Sequence, residues 1–431
     1  MYSYDGVSTE SRLNGVTLTR IVYILSYSLY LIFFMDSMQQ EPVLSLNRYY
    51  SYIFPIFWLF VIFATSKMSM IRTENHAAPI IFAIYLFYIL AALFSIASPM
   101  HYALPEELRA CLKYITIVAV NVYVINNLNV FPEFIGCSFY TCGIYLIIRY
   151  AIAGFPLQAF ANLSAIMSTN ERFREGFGFY NVNAVGILSA GTIILSVLYL
   201  SCVAFYGKSV RGIRLILTVL IDVFVSIVLL SSGSRNSLLQ VAIFVAAFIY
   251  LSITLLEKWS PTSRRILRVF MFILLVALIF SVFWASISDL FVSSLRFKTF
   301  QVNIPTFISS RRILQGMGLF NVGYFARSGT AYGQTVNIDN FYLYVLLETG
   351  IIGSCIMAYV LISIGVRLFQ MKNDAISVSF FRLLCAAYIS WLASGLGETC
   401  IIYHVFPSSL MLLTAFLTAI RMFHNKEDVI C

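Results

Sequence analysis

The sequence predicts an all-α polytopic membrane protein with about 12 transmembrane helices, and three observations predict it. Hydrophobic residues make up 60% of the chain and charged residues 11%, with a mean hydropathy of +0.87. Soluble domains carry about a quarter charged residues. The apolar residues fall in runs close to the roughly 20 that a helix needs to cross a bilayer, where every backbone polar group must be satisfied within the helix. Lys and Arg collect in alternate gaps between those runs, as they do in cytoplasmic loops.

The runs follow in order. The first, near 17 to 35, comes after Arg12 and Arg20, and Met35-Asp36-Ser37-Met38 offers no small-residue cleavage site, so it reads as an uncleaved span. Runs near 48 to 66 and 78 to 98 flank Lys67 and Arg72, which puts that gap in the cytoplasm. Runs near 110 to 126 and 134 to 153 are separated by Asn126 to Glu133, a gap without a cation. Runs near 183 to 205 and 213 to 231 flank Lys208, Arg211 and Arg214; those near 236 to 256 and 266 to 287 flank Lys258, Arg264, Arg265 and Arg268. The last three lie near 340 to 369, 380 to 398 and 402 to 421, with Arg367, Lys372 and Arg382 between the first two. Both termini then fall in the cytoplasm. The chain reads as one integral membrane domain, 1–431, with a large, partly helical periplasmic loop, 288–339, inserted in it.

A net charge of +9 ordinarily suggests nucleic acid as a partner. Here the orientation of the spans accounts for most of the cations, and no nucleic acid is expected. The eight cysteines lie in or beside apolar segments and the four histidines are scattered, so neither a disulfide framework nor a metal site is predicted.

The cations on the outer side need their own explanation. Besides Arg48, Arg109 and Lys113, they cluster at Arg149 at a span end, Arg172 and Arg174 before the sixth span, Arg235 in SGSRNS, and Arg296, Lys298, Arg311, Arg312 and Arg327 in the large loop. The planar guanidinium fork suits phosphate, and several together suit pyrophosphate. At an outer membrane surface the obvious pyrophosphates belong to polyprenyl-linked sugars. The competing reading is that these side chains snorkel to headgroups or coat a solvated loop. Arg235 resists that reading most, because only Ser231 to Ser234 separate two strongly apolar runs there. Asp222, inside the seventh span, is the other intramembrane ion, with a helix neighbour as its structural partner.

SGSR at the head of an apolar helix, a large outer loop, and G-x-G followed some twenty residues on by DNFYLYVLLETGIIG resemble the O-antigen polymerase and O-antigen ligase (Wzy/WaaL) superfamily. The likeness is clearest from Arg172 to Gly353. Arg174 is followed by Phe179, Asn181 and Asn183, as in the family's F-x-N-x-N motif, although Val182 stands where proline is usual. Arg312, with Gly323 after it, fits the arginine and glycine pair of the polymerases. Ligases begin the segment after the loop with His-Asn; this chain has Asp339-Asn340, which points to a polymerase.

The resemblance implies a GT-C-like, metal-independent glycosyltransferase without cofactors in a bacterial inner membrane, active on its periplasmic face. Its substrates are undecaprenyl-pyrophosphate-linked oligosaccharides, and a chain-length regulator and a flippase are its expected partners beside membrane lipid. Arg174, Arg235, Arg312 and Asp339 are the expected catalytic residues, with Asp339 either a base or the helix cap of the tenth span. Arg149, Arg172, Asn183, Arg311, Asn340 and Glu348 are the expected substrate contacts, Glu348 lying about 13 Å deeper along a straight tenth helix. A ligase acting on the lipid A core, and a lipid-linked oligosaccharide flippase, are the alternatives.

Overall fold

The computed structural model of the protein describes residues 10–36, 77–98, 121–127, 130–154, 176–179, 182–206, 212–253, 260–291, 303–318, 340–370, 378–398 and 407–424, with single positions 39, 53, 56, 57, 60 and 115. The helices are α1 (Glu10–Asp36), α2 (Ala78–Ile96), α3 (Phe131–Ile152), α4 (Val182–Phe205), α5 (Gly212–Ser232), α6 (Arg235–Ser252), α7 (Pro261–Phe291), α8 (Ile304–Ser309), α9 (Phe341–Gln370), α10 (Val378–Ser394) and α11 (Pro407–His424). Six of them, α2 to α6 and α9, are long and apolar enough to cross a membrane. The chain is an all-α, multi-pass membrane protein. Among the described residues the extended pairing is limited to one bridge, between Gln39 and Phe179.

Lipid is as apolar as a leucine side chain, so helices in a bilayer associate through close packing and hydrogen bonds. Both devices are present. Gly136 lies against the Tyr199 ring, Gly186 against Ser234 and Ser237, and Gly191 against Ser408, each without room for a methyl group. Tyr140 Oη and Thr218 Oγ1 share a hydrogen bond of 3.1 Å, and Trp391 Nε1 donates to Ser409 Oγ at 2.9 Å. Ser196 Oγ donates to Asp222 Oδ2 at 2.8 Å, which supplies the helix neighbour expected for that carboxylate.

Neighbouring described helices run antiparallel: Gly136 and Gly143 of α3 meet Tyr199 and Thr192 of α4, and Asn236 and Gln240 of α6 meet Gly397, just past the end of α10, and Ser390, before it. At one end of the bundle meet the C-terminal ends of α3 and α10 and the N-terminal ends of α4, α6 and α9. Further along the helices, Cys385 Sγ in the middle of α10 donates to Leu368 O of α9 at 3.7 Å, Tyr206 Oη reaches Met422 Sδ at 3.5 Å, and Arg421 bonds to Ile125 O.

The segment read as one straight span, 340 to 369, is two half-helices. Gly350 takes φ 66° and ψ −164°, outside the helical region. Phe341 N bonds to Gly395 O and Leu368 O accepts from Cys385, so both ends of α9 are held by residues of one chain segment ten positions apart, about 15 Å of helix. A straight helix from 341 to 368 measures about 40 Å. The two halves therefore turn on each other by about a right angle or more. Gly353, just past the bend, packs on the Phe87 ring of α2.

Candidate functional site

A break in a membrane helix frees backbone groups that lipid cannot satisfy. Here residues 313–318 satisfy them. Met317 N donates to Leu347 O and Gly318 N to Glu348 O, both at 2.9 Å, while Ile351 N and Ile352 N donate to Ile313 O and Leu314 O at 3.0 and 3.2 Å. Residues 313–318 thus form a strap laid into the bend. Gly316, at φ 76°, and Gly350 face each other so closely that a Cβ on either would strike the other strand's backbone.

Arg312 ties the strap to α2. Its Nε donates to Gly316 O at 2.8 Å, and its two terminal nitrogens donate to Ala97 O at 2.8 Å and Phe94 O at 3.1 Å, the last carbonyls of a helix that has no later turn to use them. Ser98 Oγ adds a bond to Met317 O at 3.0 Å. Partial burial pulls the Arg312 guanidinium below its ordinary value, yet arginine stays charged at any physiological pH. Arg311 beside it is exposed and takes a positive φ of 56°.

The second junction is the turn after α10, residues 395–398. Asn340 Nδ2 donates to Leu396 O and Asn236 Nδ2 to Gly397 O, both at 2.9 Å, and Asn236 also approaches Glu398 Oε1 at 3.4 Å. Asn340 Oδ1 accepts from Leu343 N at 3.0 Å, so Asn340 is the N-cap of α9, in the role weighed for Asp339. Arg235 is the first residue of α6, half-buried, directly beside Asn236. Through Gly186 the first turns of α4, with Asn183, pack on Ser234 and Ser237.

Arg149 is buried at the C-terminal end of α3. Its Nε donates to Phe177 O at 3.1 Å and a terminal nitrogen donates to Gln39 Oε1, so it pins residues 176–179 against the chain that follows α1. Gly136 faces Tyr199 and Gly143 faces Thr192 across α3 and α4, a register that sets Arg149 opposite Gly186. Arg149 therefore stands level with Ser234 and Arg235.

Of the residues expected at a site, the structure brings Arg149, Asn183, Arg235 and Asn340 to one end of the bundle. Arg311 and Arg312 stand at the strap, the length of one half-helix, about 13 Å, from Asn340. Glu348 is fully buried about 13 Å along the first half of α9, as expected, and lies beside the strap just before the bend at Gly350. Arg172, Arg174 and Asp339 lie outside the described residues. Asn236 and Glu398 are additional polar groups at the junction, both buried. The signal for Glu398 was an acid ending a long apolar run. Among the described residues no three His, Cys, Asp or Glu side chains are grouped to hold a metal ion.

Comparison with protein-family models finds no match, and comparison with curated proteins finds none.

Proposed function

We propose that the chain is a surface-polysaccharide polymerase that joins polyprenyl-pyrophosphate-linked oligosaccharide repeats at the outer face of a bacterial inner membrane. The observation that carries this reading is the position of Arg235. It opens α6 where the first turns of α4 and α9 are also gathered, on the turn 395–398. Helix N-termini carry partial positive charge, so a guanidinium among them favours an anion such as pyrophosphate. The GT-C-like layout of about 12 spans, with 288–339 as the periplasmic loop, belongs to the same proposal.

In the reaction an acceptor hydroxyl oxygen bonds to the anomeric carbon of the donor glycan. The bond from that carbon to the phosphate oxygen breaks, and polyprenyl pyrophosphate leaves with the electron pair. The acceptor proton passes to a base, for which Asp339 is the proposed group. Negative charge grows on the leaving phosphate, so cations that tighten there lower the barrier; losing one such donor costs about 2.7–4 kcal/mol. Arg235 and Arg174 are assigned to the pyrophosphate. Arg149 and Arg312, each already bonded to backbone carbonyls, hold the walls.

A strain lacking the protein tests the reading. Single repeat units attached to the surface lipid core support a polymerase; loss of all attached units overturns it in favour of a ligase or flippase.

A further inference from the structure

The bend of α9 encloses space. Between its two arms and α10 lies a cavity of about 490 Å³, lined by Phe341 and Val345 on one arm, Met357 and Leu361 on the other, and Leu392 from α10. That volume is in the range of a ligand pocket.

The polar atoms on its walls are already used. Tyr342 Oη donates to Leu392 O at 2.8 Å, Ser354 Oγ to Gly350 O at 2.8 Å, and Tyr388 Oη to Leu361 O. A cavity whose hydroxyl donors are all engaged and whose remaining side chains are hydrocarbon disfavours sugar and holds water poorly, because a buried polar guest needs several partners. It accepts hydrocarbon.

The cavity's lining adjoins the proposed site along the chain. Phe341 and Tyr342 follow the cap Asn340, and Leu392 precedes the turn 395–398 that holds Asn340 and Asn236, the neighbour of Arg235. An amphiphile with an anionic head at Arg235 has its apolar chain beside this opening.

We infer that the crook of α9 receives the isoprenoid chain of the lipid-linked donor, with its phosphate end toward Arg235. The choice of an isoprenoid over another hydrocarbon rests on the polymerase reading; the requirement for an apolar guest does not.

Ala358 is an exposed lining residue, so a larger side chain there fills the opening without overpacking the core. The full-length protein in nanodiscs is labelled with a polyprenyl monophosphate bearing a photoreactive group in its chain, and labelled peptides are mapped. Labelling within 341–365 or 388–392, lost in Ala358→Phe and partly kept in Ala358→Leu while both variants keep the wild-type melting temperature, is the expected result. Labelling elsewhere, equal labelling of Ala358→Phe, or equal competition by excess phosphatidylglycerol overturns the inference. The probe carries no sugar, so crook labelling in a protein that fails to polymerise lipid-linked repeats rejects the polymerase reading and leaves the apolar site standing.

Discussion

Gly316 and Gly350 lie across from each other, each with the opposite segment's backbone in the space its side chain would need. Gly316 sits where a Cβ would strike the Glu348 carbonyl and Thr349 N, and Gly350 where a Cβ would strike Leu314 O and Gly316 N. Both have positive φ, at 76° and 66°. The contact joins the strap to the bend of α9, and the bend directs Asn340 to the junction beside Arg235.

Gly316→Ala and Gly350→Ala each combine a disfavoured φ with a backbone collision, and each is expected to destabilise the protein by about 2 kcal/mol or more. Gly212→Ala is the control, since nothing lies within 4 Å of its Cβ position and its φ is not positive. Thermal unfolding in detergent checks the contrast: a clear fall for the first two and almost none for the third.

Arg312→Ala removes three charge-assisted bonds, to Phe94 O, Ala97 O and Gly316 O, at an expected cost of about 2 kcal/mol. Lysine carries the charge without the planar fork, so Arg312→Lys is expected to recover little of that stability. Equal melting temperatures for Arg312→Lys and the wild type would contradict the capping role.

Arg235→Ala is expected to behave in the opposite way. Losing a cation that acts on the leaving pyrophosphate lowers polymerisation by about 10²–10³-fold in protein that still folds. Rates with purified lipid-linked donor, measured beside a melting curve, separate the two effects.

Asn340→Ala removes the cap of α9 and the bond to Leu396 O. A loss of about 1 kcal/mol is expected, and Asn340→Asp should restore the cap while leaving the second bond unmade. Comparing the three melting temperatures tests whether both bonds count.

The helices were legible because a membrane span has one loud signal, a long apolar run. The break before Arg235 was legible for the same reason, since SGSR interrupts two such runs. The bend at Gly350 was not. ETGIIG sits inside a long apolar run, and glycine is common in membrane helices; what breaks the helix is a strap some thirty residues upstream. The G-x-G in that strap was noticed as a motif, but its steric purpose depends on the partner it meets. The bonds of Arg149 and Arg312 were equally hidden, because most of their acceptors are backbone carbonyls, which every residue type possesses. Charge and position marked both arginines as candidates for a site, and only geometry shows what their N–H groups hold.

The most direct test of the central claim uses the purified protein in nanodiscs with a polyprenyl-pyrophosphate-linked oligosaccharide repeat as sole substrate. A ladder of glycans longer than one repeat, with release of polyprenyl pyrophosphate and its loss in Arg235→Ala, is the predicted result. No ladder from a folded wild-type protein, or a ladder undiminished in Arg235→Ala, would contradict the account.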